Sequence, residues 1–435
     1  MWFDETYSAH FANRGFNQLL HDLVTDEANM GPYYLMLWGW RRFGNGDVWL
    51  RSLSIIFTIA AIWLVWAVTS RWASRSAAAA AVCMLALNPF VLSWTVQARG
   101  YTLVVALSVL IVWLADLVRT TNLTRYAVAF GVAAAVLVAN NFAAVFIVLA
   151  AACCTVAFGD RERLVRPLGI GALVSAVLFA PFGYALLTNR EQVNWIPELT
   201  ADRFVRSTGE ALGGKVTALI LLLGLLALLA RLRSPRDRPV ATMLLASVIV
   251  GILGVAAFSI VVQPLFMNRY LIGVLPLATI GTAFGIDAMG AQRWRVAALA
   301  VLPLAALAAA VIRPESTTQR TLEDFSGAAR LIDASITPGD SVIDVDGNTY
   351  VTLRRYLESP DEIVPIVTTG DPRSPYGLRG IANEPSRVWL VLRETSFTTS
   401  VTSQARRTWI TSLYPEVIKR WELDGIALEL RSHGR

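Results

Sequence analysis

The chain has 435 residues, 55% of them hydrophobic and only 16% charged. A soluble domain carries roughly 25% charged residues, so a purely soluble or a disordered protein is excluded, and the length leaves room for two or three domains. The formal net charge of +6 would raise nucleic acid as a partner of a soluble protein; here the placement of the charges decides their meaning.

The chain opens Met1-Trp2-Phe3-Asp4-Glu5-Thr6-Tyr7-Ser8-Ala9-His10. If 4–20 is helical, adjacent carboxylates fall on different faces: Asp4 lines up with Tyr7, Ser8 and Phe11, and Glu5 points elsewhere. Two readings stand. One acid faces a reaction cavity while the other holds a local ion pair, or both cap a solvated helix, whose N-terminus favours acidic groups. The next segment, Asn29 through Tyr33, Tyr34, Trp38 and Trp40, is apolar and aromatic and ends at Arg41-Arg42. It is too short to cross a bilayer and predicts a helix lying in the interface, with Trp and Tyr at headgroup depth.

Long apolar runs follow at 50–69, 77–96, 101–118, 125–139, 142–158, 168–188, 216–231, 240–262, 271–288 and 295–312. Measured against the ~20 residues a bilayer requires, these are ten candidate spans. Only Asn140-Asn141 divides 125–139 from 142–158, and one kinked span with a re-entrant piece is the alternative there. If residues 1–49 lie outside, the inside loops hold thirteen arginines: Arg71, Arg75, Arg119, Arg125, Arg161, Arg163, Arg166, Arg231, Arg233, Arg236, Arg238, Arg293 and Arg295. The short outside turns near 97–100 and 263–269 hold only Arg99 and Arg269. This asymmetry is the positive-inside pattern and places both termini outside.

Residues 314–435 change character and read as a soluble α/β domain. Asp324 caps a helix through about Ile336, with Phe325, Ala328, Ile332 and Ile336 on one stripe. Pro338-Gly339-Asp340 turns into the strand SVIDV, RVWLVLR (387–393) is a buried strand, and 400–413 is an amphipathic helix. Asp424-Gly425 between two alternating runs signals a hairpin. The expected architecture is mostly α: a polytopic helical bundle (50–313) between an outside acid-bearing segment (1–49) and a small α/β domain (314–435). The start shows no basic n-region and apolar h-region of a cleavable signal.

Other signals read blandly. Cys83, Cys153 and Cys154 lie in apolar runs without metal or disulfide spacing. Asp344-Val345-Asp346 spells Asp-x-Asp but sits before Gly347-Asn348 at a strand end, a solvated turn. Asn122-Leu123-Thr124 is a glycosylation sequon on the inside, and His10 and His21 form no metal pair.

Several of these residues carry a family resemblance. Asp4-Glu5 followed by Tyr7-Ser8-Ala9, then Asn29-Met30 and Tyr33-Tyr34-Leu35, resembles the first extracytoplasmic loop of the GT-C membrane glycosyltransferases, in the bacterial protein-mannosyltransferase-like branch (glycosyltransferase family 39 and relatives). Gln97-Ala98-Arg99-Gly100-Tyr101 resembles that family's Glu-Ala-Arg-x-Tyr element, Gln192 to Pro197 with Trp195 its long outside loop, and Arg269-Tyr270-Leu271 its late Arg-Tyr-Leu. The tail from Asp324 to Asp340 is similar to the soluble domain of many members. Members have one span before the acid pair, which these first residues do not supply. Gln97 replaces the Glu, and Asn140-Asn141-Phe142 stands where relatives have a Thr-His-Tyr-like turn.

The resemblance implies an inverting transfer of a sugar, mannose-like or arabinose-like, from a polyprenyl phosphate to an acceptor hydroxyl on the extracytoplasmic face. The acceptor is a glycan, lipid or protein of the cell envelope, and no metal or other cofactor is implied. The absence of a phosphate-cradling Gly-rich loop agrees with a lipid-linked donor. By match to the family's Asp, Asp4 is the general base and Glu5 the neighbour that orients it or the acceptor. Arg99 and Arg269, with Tyr101 and Tyr270, suit the leaving phosphate; snorkelling to headgroups is their alternative role. Asn29, Tyr33, Tyr34, Gln97 and Trp195 are candidate substrate contacts; for Trp195 an interfacial belt is equally open, and Tyr33 and Tyr34 lean to structure. Rival classes are a transporter or flippase of a lipid-linked sugar and a non-catalytic glycan-binding paralogue. The bundle lacks the Gly/Pro-broken pair in corresponding halves expected of a transporter.

Overall fold

The structure, a computed structural model, describes residues 1, 3–25, 29–188, 196–289, 323–344, 350–358, 363–364, 385–393, 407–408 and 410–433, together with 300, 301, 304, 307 and 308. It divides into two compact units: Phe11–Thr318, and Met1–His10 with Gln319–Arg435.

The larger unit is a helical bundle. After α1 (Phe3–Asn13), which begins in the smaller unit, come α2 (Phe16–Thr25), α3 (Gly31–Trp40), α4 (Asp47–Trp72), α5 (Arg75–Ala86), α6 (Pro89–Thr95), α7 (Tyr101–Thr121) and α8 (Thr124–Asn140). Then follow α9 (Val145–Phe158), α10 (Arg161–Thr188), α11 (Ala201–Ala211), α12 (Lys215–Leu228), α13 (Arg238–Val261) and α14 (Val274–Ile286). Among the described residues five helices are long and apolar enough to cross a membrane: α4, α7, α10, α13, and α12 with its extension to Arg233. The α5–α6 pair makes a sixth span if its 62° bend is bridged.

The sequence expectation of ten spans is therefore not reached. The run at 77–96 is broken at Asn88-Pro89, because proline suits the first turn of a new helix and not the interior of an old one. Asn88 Oδ1 accepts from the Phe90 and Val91 amides at 2.9 and 3.4 Å, fixing the new start. The runs at 125–139, 142–158 and 271–288 form helices shorter than the spanning length, and most of 295–312 lies outside the described residues. Asn140-Asn141 separates two distinct helices, with a 3-10 turn over Phe142–Ala144 between them.

Three of the expected inside arginines, Arg71, Arg119 and Arg231, meet carboxylates at helix ends. Asp116, near the end of α7, accepts from Trp72 Nε1 at 3.0 Å and Arg119 Nη2 at 2.6 Å, with Arg71 3.9 Å away. Asp287, after α14, accepts from Ser74 Oγ at 2.6 Å and lies 3.4 Å from Arg231, which also bonds Asp237 at 2.8 Å. Elsewhere in the unit, α8 and α10 meet through glycine. A Cβ on Gly131 would strike the Gly171 carbonyl, and one on Gly171 would strike that of Ala127; small residues let the backbones approach this closely.

The smaller unit holds a five-stranded sheet in the order β2-β1-β3-β5-β4, from β1 (Asp340–Asp344), β2 (Ile363–Val364), β3 (Arg387–Arg393), β4 (Glu416–Leu423) and β5 (Ile426–Ser432), with α15 (Phe325–Asp333) and α16 (Tyr350–Tyr356). The first three strands pair in parallel and the last two antiparallel. Asp324 caps α15 through Gly327 N at 2.7 Å, and Gly425 turns the β4–β5 hairpin at φ 65. The stripe expected to reach Ile336 stops earlier, since the helix ends at Asp333, although Ile336 still packs on the core. Of the expected helix at 400–413, residues 407–408 and 410–413 are helical and 400–406 and 409 lie outside the described residues, as do 345–346 of Asp-x-Asp.

Burial raises the Asp340 carboxyl, but hydrogen bonds from Arg387, the Thr337 amide and the Trp389 indole, with the Arg387 charge, bring it below its ordinary value. A depressed carboxylate stabilises above its unfolded pKa of about 3.9, and that contribution is lost as pH falls through the folded value. Hydrogen exchange in β1 and β3 of the full chain should therefore accelerate on acidification below about pH 4, and Asp340→Asn should flatten that dependence. In the bundle, Gly131→Val should force α8 from α10 and cost about 1–3 kcal/mol, read as a lower Tm of the detergent-solubilised chain with Gly131→Ala intermediate.

Candidate active site

The acid pair sits in the first turn of α1. Asp4 is half-buried, whereas Glu5 is 0% exposed, and Thr6, Ser8 and Ala9 are buried with it. The alternative of a capping pair on a solvated helix is corrected by this burial. Asp4 and Glu5 belong to the smaller unit; the remaining described candidates lie in the larger one.

The segment from Asn29 to Trp40 contains α3, whose aromatic start is buried, in line with the structural lean for Tyr33 and Tyr34. Asn29 is half-buried in the turn before Met30, and Met30 adopts φ 64 at the N-terminus of α3. The following Gly31, Pro32, Tyr33 and Tyr34 are all buried. Tyr33 and Ser54 hydroxyls lie 3.0 Å apart, and Ser54 Oγ donates to the Arg99 carbonyl at 3.1 Å. The interfacial character passes to the far end of α3, where Arg42 covers the Trp38 ring at 4.0 Å and Trp40 stacks on Trp49 at 5.0 Å.

Arg99 lies in the break between α6 and α7 and is 8% exposed. Its Nη1 donates to the Tyr34 hydroxyl at 3.1 Å, and its guanidinium is 5.9 Å from the Tyr101 ring. Gly100 is required beside it: a Cβ there would lie 2.7 Å from the Asn140 amide and 3.0 Å from Tyr33 Cβ. Gln97 Nε2 donates to the Ser93 carbonyl at 2.7 Å, an amide returned to its own helix. Arg269, in the 3-10 turn Asn268–Leu271, is likewise 8% exposed, with its guanidinium 5.5 Å from the Tyr270 ring. Asn268 Nδ2 donates to Glu210 Oε2 at 2.7 Å and holds that turn. Burial at this level disfavours headgroup snorkelling, which leaves the charged end in water.

Two residues that the sequence reading assigned no role tie these turns together. Asn140 Nδ2 donates to the Gly100 carbonyl at 2.8 Å, and its neighbour Asn141 donates to the Tyr270 carbonyl at 3.1 Å. Both asparagines are buried. Consecutive amides in an apolar run were the available signal, because polar groups within a membrane are costly and functional by default. An apolar groove of about 440 Å³ runs between α3, α7 and α8, lined among others by Met36, Leu103, Leu107, Leu110 and Val132. Trp195 lies outside the described residues, and among those described no cluster of three or more metal-ligating side chains occurs.

Comparison with known proteins gives this arrangement a context. Residues 27–184 match the family model described as dolichyl-phosphate-mannose-protein mannosyltransferase. The fold is similar to that of the Archaeoglobus fulgidus oligosaccharyltransferase: the apo crystal structure superposes at TM-score 0.54 and 11% identity, covering 90% of this chain and 66% of that one. The complex with zinc and sulfate gives 0.56 and 12%, covering 98% and 69%. The form tethered to an acceptor peptide containing an Asn-Val-Thr sequon gives 0.52 and 12%, covering 100% and 70%. This chain thus spans about two thirds of the length of that enzyme. No curated protein sequence matches it. The resemblance to the GT-C membrane glycosyltransferases is met by the matched domain and by the fold.

Asn141→Ala should remove the Asn141 donor from the Tyr270 carbonyl inside the bundle at a cost of about 1–3 kcal/mol. A lower Tm, together with faster hydrogen exchange over 268–271, is the expected reading.

Proposed function

We propose that the protein transfers a sugar from a polyprenyl-phosphate donor to an acceptor hydroxyl on the extracytoplasmic side of the cell membrane. The observation that carries this reading is the pair of buried arginines, Arg99 and Arg269, on turns clamped by adjacent asparagines. Fixed cations of this kind suit a phosphate leaving group, whose charge develops as the glycosidic bond breaks. The apolar groove between α3, α7 and α8 suits the donor's hydrocarbon chain. In this reading the arginine-rich end of the bundle is cytoplasmic, and both chain termini are extracytoplasmic.

The chemistry balances without a cofactor. The acceptor oxygen forms a bond to the anomeric carbon, its proton passes to the Asp4 carboxylate, and the anomeric carbon–phosphate oxygen bond breaks with inversion. The polyprenyl phosphate leaves with the bonding pair, held by Arg99 and Arg269 with Tyr101 and Tyr270 alongside. Glu5 orients Asp4 or the acceptor. Tyr33 and Tyr34 act by packing and by holding Arg99.

Membranes containing the protein should move radiolabelled mannose from polyprenyl-phosphate-mannose, or arabinose from the corresponding donor, to an envelope acceptor. Asp4→Asn should lower turnover about 10²–10⁴-fold at unchanged expression. Arg99→Ala and Arg269→Ala should each lower it about 10²–10³-fold. Wild-type turnover by Asp4→Asn would overturn the assignment of the base, and translocation of the lipid-linked sugar without transfer would favour a flippase.

A further inference from the structure

The acid-bearing start of α1 is held by the C-terminal α/β domain, with which it forms one compact unit. The hydroxyls of Thr6 and Thr352 lie 2.6 Å apart across 346 positions of sequence. Both side chains are buried, at 1% and 0% exposure. One turn further along α16, the Tyr356 hydroxyl accepts a hydrogen bond from the Met1 nitrogen at 2.7 Å. Residues four apart share a helix face, so a single face of α16 receives Met1 and the first turn of α1. The other side of α16 is anchored: Leu353 and Leu357 belong to the sheet core with Phe325, Val342 and Trp389.

We infer that Thr352 is a positioning residue for the acid pair, acting through Thr6. This inference rests on the reading of Asp4 as the base. A step of two residues turns a helix by roughly 200°, so when Thr6 faces α16, Asp4 lies on nearly the opposite side of α1. Docking through Thr6 therefore fixes the rotation of α1 and the direction of the half-buried Asp4 carboxylate without covering it. A hydroxyl pair suits this task because it is directional. An apolar contact at the same place would hold the helix but define its rotation less sharply.

The test uses the full chain, purified in nanodiscs, with hydrogen exchange over residues 3–13 and transfer from polyprenyl-phosphate-mannose measured side by side. Thr352→Val removes the Thr352 hydroxyl from the Thr6 contact and should speed α1 exchange about tenfold. It should lower kcat about tenfold with the donor KM unchanged, the signature of an interaction that acts in the transition state. Thr352→Ser should behave as wild type. The double variant Thr6→Val with Thr352→Val replaces both hydroxyls by methyls of the same shape and should regain the slow exchange, while kcat stays reduced. If Thr352→Val does not accumulate, Thr6→Val deletes the same contact from the other side and carries the measurement.

Wild-type exchange and kcat in Thr352→Val overturn the inference, as does a Thr352→Ser variant as impaired as the valine. Failure of the underlying reading has a different signature. There Asp4→Asn keeps both its turnover and the slow α1 exchange, whatever the Thr352 variants do.

Discussion

Inside a bilayer no water reaches the carbonyls and amides that a broken helix exposes, so each break must be satisfied from within the protein. That constraint accounts for several of this chain's buried polar side chains. Asn88 caps α6 and donates to the Leu212 carbonyl at 3.1 Å. Ser54, Asn140 and Asn141 each donate to a carbonyl at the edge of another break. The candidate arginines lie in two of the breaks so repaired. Their rigidity is a by-product of satisfying backbone groups, since the bonds that close the breaks also fix the turns.

The opposite end of the bundle obeys a different rule. There the loops are basic, and Asp116 and Asp287 each collect donors from more than one helix. Carboxylates so placed limit repulsion among neighbouring arginines and stitch helix ends together. The two ends thus use arginine differently. At one end partly exposed arginines pair with carboxylates, and at the other two buried ones stand on turns.

How much of this was legible follows from the range of the interactions. The Asp324 cap, the Asp424-Gly425 hairpin and the strand at 387–393 are local or alternate with period two, and they stand in the structure where the sequence placed them. Span count was less legible, because hydropathy averages over Asn88-Pro89 and over Asn140-Asn141, where the structure breaks the helix. Tyr33 and Tyr34 stayed open in the sequence for a related reason: the same aromatic residues suit an interface or an interior, and the long-range contacts to Ser54 and Arg99 show what holds them inside. The Thr6–Thr352 pair, 346 positions apart, had no local signature at all.

In the proposed reaction these supports fall on different partners. The leaving phosphate is the same for any polyprenyl donor, and its candidate cations stand on turns closed by bonds within the helical bundle, in surroundings of low dielectric where a fixed charge acts most strongly. The acceptor varies among enzymes of one chemistry, and the candidate base stands on a helix whose start is docked on a soluble α/β domain. A hydrogen-bonded docking between two short helices can be reset by a few substitutions, whereas a change at the asparagine clamps removes a donor from the Gly100 and Tyr270 carbonyls where no water replaces it. Changes in acceptor geometry are thus most readily accommodated on the C-terminal side of this architecture, while the bundle retains the donor chemistry.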